Sequence, residues 1–148
     1  MSPSATEREE TSRDDPYVGK LIAALDNPEP MTRVRAAWIL GRRADRSACA
    51  PLVASLAAHA DDPEFLATAA WSLGQIGDPA AVPALIDLAR RSFLKSRLAA
   101  VEALARWPAR ADVRRTLGLA RHDRSELVRE AAERLLATTA RAGGRRAG

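Results

Sequence analysis

Apolar residues in this chain recur at steps of three and four rather than in alternation, and the steps come in blocks. One leucine anchors each block, at Leu40, Leu73, Leu104 and Leu136, with separations of 33, 31 and 32 residues. Alanine stands four residues before each anchor, at Ala36, Ala69, Ala100 and Ala132. At 100° per residue these pairs share one face of a helix, where a larger residue would force neighbouring helices apart. A preceding helix in each block carries Leu21, Ile22 and Leu25, then Leu52, Val53 and Leu56, then Val82, Leu85, Ile86 and Leu88, then Val113, Leu117 and Leu119. Helices are expected over about 17–26, 30–43, 47–59, 63–76, 79–91, 93–107, 110–121 and 125–139. Paired helices repeating near 32 residues predict an all-α fold, an α-solenoid (α/α superhelix) of about four helical hairpins.

The boundaries have physical causes. Asp62-Pro63 and Asp78-Pro79 each place an acceptor at the N-cap and a proline at the first helical position. Gly77 supplies the left-handed residue that closes the preceding helix. Asp123 and Glu126 have capping-box spacing, and Ser47 and Ser92 are candidate simpler caps. The fourth copy is more polar: Glu133 stands where earlier copies have Ala37, Ala70 and Val101, as the uncovered end of a stack requires. The expected organisation is an acidic disordered tail over 1–15, a repeat domain over 16–140 (repeats about 16–45, 46–78, 79–109 and 110–140), and a flexible basic tail over 141–148.

Composition narrows the choices. Hydrophobic residues make up 47% of the chain but aromatics only 4%, so the core relies on small side chains and close helix approach. Arginine dominates the basic residues, with only Lys20 and Lys95 beside it, a bias that a GC-rich genome explains as readily as function. No leader pattern opens the sequence and no window reaches the length of a membrane span, which makes the cytoplasm the default and leaves no membrane among the expected partners. Cys49, in an apolar run, reads as a buried small hydrophobe.

The strings Arg33-Val-Arg-Ala-Ala-Trp-Ile-Leu-Gly41 and Ala69-Ala-Trp-Ser-Leu-Gly-Gln-Ile-Gly-Asp78, followed by Ala81-Val-Pro-Ala-Leu-Ile86, resemble HEAT repeats of the type named after phycobilisome lyases. The resemblance covers about residues 16–140 and implies an Arg–Asp ladder along the stack. Arg33, Arg97 and Arg129 match its arginines, and Asp26, Asp61 or Asp62, and Asp123 match its aspartates. Leu66 interrupts the arginine series and Arg90-Arg91-Ser92 lacks the aspartate, so an incomplete ladder of little energetic weight is expected.

No catalytic motif, cofactor-binding loop or metal-ligand spacing is present, and His59 and His122, in different repeats, read as helix-end residues. The informative surface lies opposite the core. Positions two and six before each anchor, and two after it, hold Val34, Trp38 and Arg42, then Ala67, Trp71 and Gln75, then Leu98, Glu102 and Arg106. Equivalent tryptophans on adjacent repeats, rimmed by Arg35, Arg42, Arg43 and Arg106, have the composition of an interaction hot spot. The same tryptophans could instead cover a thin alanine core, and Trp107 reads as a core plug.

The favoured reading is a non-enzymatic adaptor, a monomer by default, that binds in its concave groove a protein segment with apolar anchors and acidic flanks. Nucleic-acid binding is the second reading, weakened by a net charge of only +4 with interleaved acids. An enzyme is the third. Its family-based forms are a DNA glycosylase-like groove, for which Glu102 is the one nearby acid, and a bilin lyase or isomerase, for which the groove offers no thiol or histidine.

Overall fold

The computed structural model describes residues 15–145 and, ahead of them, residues 2, 4, 6 and 7. Between residues 15 and 145, eight α-helices follow one another as α1 (Pro16–Ala24), α2 (Pro30–Arg43), α3 (Cys49–Ala58), α4 (Pro63–Ile76), α5 (Val82–Arg91), α6 (Leu94–Leu104), α7 (Ala111–Ala120) and α8 (Glu126–Gly144). Short 3₁₀ turns, Arg46–Ala48 and Pro79–Ala81, lead into α3 and α5. There is no strand among the described residues. Successive helices pair as hairpins, and α2, α4, α6 and α8 form an inner row in close mutual contact. In the outer row α5 and α7 touch less closely, α3 meets the 3₁₀ turn before α5 rather than packing along that helix, and α1 and α3 stand apart. Rows of unequal spacing bend the stack, with the inner row on the concave side. The architecture is an α-solenoid of four hairpins.

Helix starts follow one local rule more often than the sequence reading recognised. Asp15, Glu29 and Asp62 each precede a proline and accept from the N–H groups of Tyr17, Met31 and Phe65, at 2.9, 2.9 and 3.1 Å. Asp78 does the same for the second 3₁₀ turn, through Ala80 N–H at 2.9 Å. Gly77 closes α4 with φ of 71° and donates its N–H to the Leu73 carbonyl.

Other expectations need correcting. Asp45, not Ser47, caps the turn before α3, accepting from both the N–H and the hydroxyl of Ser47. Ser92 ends α5, and its hydroxyl meets that of Ser96. Asp123 forms no capping box with Glu126: it lies two residues before the N-cap Ser125 and accepts from the Ser125 N–H. Leu119 is 54% exposed, and Thr116 takes the core position on α7 instead. Helix α8 continues to Gly144, past the start expected for the basic tail, with nothing in its last residues to stop it before the glycine pair. Most of the expected N-terminal tail, and residues 146–148, lie outside the described residues. Ser4 and Glu7, which are described, exchange the two hydrogen bonds of a capping box.

The core is a layer of leucine and alanine between the two rows. Leu40, Leu73 and Leu104 are fully buried, as are Ala69, Ala100 and Ala132, and Ala36 is 3% exposed. The inner row closes through still smaller residues. A Cβ added at Gly41 would lie 2.6–2.7 Å from Ser72, and one at Gly74 would lie 3.0 Å from the Ala103 side chain. Ser72 uses the close approach, donating its hydroxyl to the Ala37 carbonyl of α2 at 2.7 Å and sharing it with its own Thr68 carbonyl at 2.9 Å.

The Arg–Asp ladder is present at two of three junctions and carries more weight than its gap suggests. Arg97, 4% exposed, grips Asp123 with Nε and Nη2 at 3.0 and 2.9 Å and donates Nη1 to the Ser92 carbonyl. Arg33 reaches Asp62 at 3.1 Å and the Asn27 carbonyl at 2.9 Å, with its Nε buried and unpaired. Asp26 takes no part in the ladder and faces His59 instead, at 3.6 Å. Arg129 bonds the Asp123 carbonyl. Between the second and third repeats Leu66 is buried in the arginine's place, and a surface pair, Lys95 with Glu64, spans the gap.

Gly41→Ala is expected to cost about 1–3 kcal/mol by overpacking. Gly118→Ala, in a helix interior with nothing within 4 Å, is expected to gain about 0.5–1 kcal/mol; urea denaturation of both variants checks the pair. Arg97→Ala strands a half-buried carboxylate and is expected to cost about 1–3 kcal/mol, Arg33→Ala less. Burial alone would raise the Asp123 pKa, but the hydrogen bonds from Arg97 and the Ser125 N–H hold it below the ordinary 3.8. Its contribution is therefore complete above the ordinary carboxylate pKa and lost as pH falls through the depressed folded value. Unfolding measured down that acid limb is expected to be flatter in Asp123→Asn than in the native chain.

Candidate functional site

The concave face is built by the exposed sides of α2, α4 and α6. Their backbones are pinned together at Gly41–Ser72 and Gly74–Ala103, so the larger side chains beyond these contacts diverge and leave space between them. One cleft of about 380 Å³ opens between α4 and α6. Trp71, half-buried, forms a wall; Gly74, Ala99, Ala103 and Ala105 form an apolar floor; Gln75, Glu102 and Arg106 stand at the rim. Arg106 packs over the turn that ends α4, its guanidinium 3.0–3.4 Å from where a Cβ on Gly77 would be. Glu102 meets Arg134 of the next repeat at 3.4 Å, both side chains exposed.

Four of the sequence-designated residues, Trp71, Gln75, Glu102 and Arg106, thus share one cleft. The other five lie outside it, Val34, Arg35, Trp38 and Arg42 on α2 and Leu98 on α6. Trp38 is 50% exposed on α2, with the Arg42 guanidinium 5.5 Å from its ring centre, the geometry of a cation–π pair. Val34 and Leu98 are half-buried against the core and support the face more than they display it. Arg35, five residues before its anchor, is exposed where Thr68, Ala99 and Ala131 are wholly or partly covered by a preceding repeat. It thereby gives the open end of the stack a polar surface. Arg43 leaves the rim altogether: it pairs with Asp15 at 2.7 Å and lies over the Tyr17 ring. Trp107 packs against the core, as its isolated position suggested.

Sequence reasoning missed the cleft's floor. Its signal was the small residue beside each anchor leucine, Gly74 after Leu73 and Ala103 before Leu104, which marks where two helices touch. A larger gap of about 660 Å³ lies on the opposite row between α1 and α3, lined by Val18, Ile22, Cys49, Val53 and Asp78 among others. It follows from outer-row spacing, which no residue pattern announced. Cys49 is 3% exposed, and burial, with Asp78 nearby, pushes its thiol up to about 11. His59 ends α3, donates Nε2–H to the Leu25 carbonyl at 3.0 Å and sets its ring edge-on to Phe65. No group of metal-binding side chains occurs among the described residues, and His122 is exposed.

The environments of Trp38 and Cys49 make distinct solution predictions. In a chain retaining Trp38 as its only tryptophan, emission is expected to be red-shifted and quenched by iodide, and a retained Trp71 is expected to be less accessible. Cys49 is expected to react with a thiol reagent at pH 8 only as the chain unfolds, since its thiol is both covered and protonated there.

Comparison with known proteins agrees with this architecture. A search of curated proteins finds no match. The family model for HEAT repeats matches residues 18–105, more than half of the 148-residue chain, ending just past the Leu104 anchor and before the more polar fourth hairpin. On that match, and on hairpins that stack along a row of leucines and alanines, the chain belongs to the HEAT-repeat family.

Proposed function

We propose that this protein is a non-enzymatic adaptor that receives a protein segment on the concave face of its solenoid. One observation carries the reading: the cleft between α4 and α6 joins an aromatic wall and an apolar floor to a polar rim, and Trp38 with its stacked Arg42 extends the same face onto α2. A half-buried tryptophan beside arginine is what hot spots are made of, because the ring supplies area and the rim excludes water. HEAT repeats commonly mediate protein–protein contacts, which supports this reading over an enzyme. The segment that fits has an apolar anchor for the Trp71 wall and acidic flanks for Arg42 and Arg106. Glu102 at the rim disfavours a nucleic-acid backbone in the same place. The cleft's lining holds neither cysteine nor histidine, so bilin-transfer chemistry of the phycobilisome-lyase type finds no support there.

Selection of displayed peptides against the native chain tests the reading. Enriched sequences are expected to carry one large apolar residue between acidic ones. Their affinity is expected to fall at least tenfold, about 1.4 kcal/mol, in Trp71→Ala. Enrichment of sequences without that pattern, or affinities unchanged in the Trp38→Ala/Trp71→Ala double variant, would overturn it.

A further inference from the structure

Exposed large apolar side chains are unevenly distributed. Phe93, Leu94, Leu119 and Leu127, at 46, 43, 54 and 55% exposure, flank the turns joining α5 to α6 and α7 to α8: Phe93 is the N-cap of α6 and Leu94 its first residue, Leu119 is in the last turn of α7, and Leu127 is in the first turn of α8. These turns lie on the same edge of the stack, where outer helices end and inner helices begin. Arg97 clamps them side by side, bonding the Ser92 carbonyl of one and the Asp123 carboxylate of the other.

The surrounding charge is basic. Arg90, Arg91 and Lys95 flank Phe93 and Leu94; Arg115 sits one turn before Leu119; Arg121 and Arg124 lie in the second turn. The nearby carboxylates are mostly engaged: Asp87 with Arg91 at 3.2 Å, Glu64 with Lys95, and Asp123 with Arg97. Glu126 is exposed, and Arg90, Arg115, Arg121 and Arg124 form no ion pair among the described residues. A genome-wide arginine bias would spread such residues evenly. Residues 105–148, which contribute Arg115, Arg121 and Arg124 to this edge, hold eleven arginines against five acids, a charge of +6.

We propose that this edge, the turns of the third and fourth repeats, docks peripherally on an anionic lipid bilayer. Leucine and phenylalanine side chains exposed on the helix ends beside these turns suit a surface that is charged outside and apolar just beneath, with arginines at headgroup level. A nucleic-acid duplex would satisfy the arginines and leave four apolar side chains in water. No described helix is long and apolar enough to cross a membrane, so the contact is one of resting on the bilayer. The site is separate from the concave cleft.

Co-sedimentation of the full chain with vesicles tests the proposal. Binding is expected to vesicles of phosphatidylcholine mixed with phosphatidylserine, not to phosphatidylcholine alone, and is expected to weaken as salt screens the charges. Leu119→Ser/Leu127→Ser and Arg121→Gln/Arg124→Gln are each expected to reduce binding roughly tenfold or more, since each basic residue at such a surface is worth about fivefold. Both pairs are expected to keep the native unfolding midpoint, their side chains being exposed. The Trp38→Ala/Trp71→Ala variant is expected to bind vesicles as the native chain does, so failure of the cleft reading and failure of this one are told apart. No sedimentation with the anionic vesicles would overturn the proposal. So would loss in the arginine pair alone accompanied by equally tight binding to duplex DNA or polyglutamate, which would mark a general polyanion surface.

Discussion

Backbone-to-backbone proximity in the inner row governs this molecule. Gly41 faces Ser72 at a distance that leaves no room for another methyl group, Gly74 faces Ala103 nearly as tightly, and Ser72 turns the first contact into a hydrogen bond across helices. With so few aromatic residues, the chain has little bulk with which to fill wide spaces, so stability depends on bringing helices close enough for alanine to touch alanine. Tightness on one side has a geometric cost on the other. The outer helices α1, α3 and α5 cannot follow, and the stack bends away from them. The concave face, the cleft beside Trp71 and the open gap beside Cys49 all follow from that inequality.

Most of the fold was legible in the sequence because helix periodicity and capping are local. The anchor leucines and their alanines set the register, and acid–proline pairs set the starts, including Asp15-Pro16 and Glu29-Pro30, which follow the same rule as Asp62-Pro63. Errors arose where a residue has two possible partners. Asp123 has cap spacing with Glu126, yet its carboxylate belongs to Arg97, a residue 26 positions earlier that no local window contains. Leu119 continues an apolar pattern but falls on the side of α7 that no further repeat covers. The candidate site was half legible. Periodicity placed Trp71, Gln75, Glu102 and Arg106 on one face, while the floor between them depended on interhelix distance. Arg43 shows the opposite limit, since its place in the sequence suited the rim and its partner Asp15 drew it elsewhere.

The three junctions between repeats are held by different chemistry. The first and third each have an arginine that reaches from one repeat to an aspartate of the next, and the middle one replaces that arginine with buried Leu66. The middle junction also has the cleft on its concave side, and a smaller apolar groove on its outer side lined by Leu56, Leu66 and Leu88. Apolar contact therefore does at the middle junction what the buried-arginine pairs do at the others, with the exposed Lys95–Glu64 pair beside it.

That difference makes the solenoid a chain of joints tuned to separate variables. Protons act on the third joint, because acid discharges the Asp123 carboxylate that holds it. Temperature and cosolvents act most on the middle joint, because contact between apolar surfaces is what those conditions strengthen or weaken. A single change of environment therefore does not loosen the stack uniformly along its length, and which repeats separate first is set by the kind of stress applied.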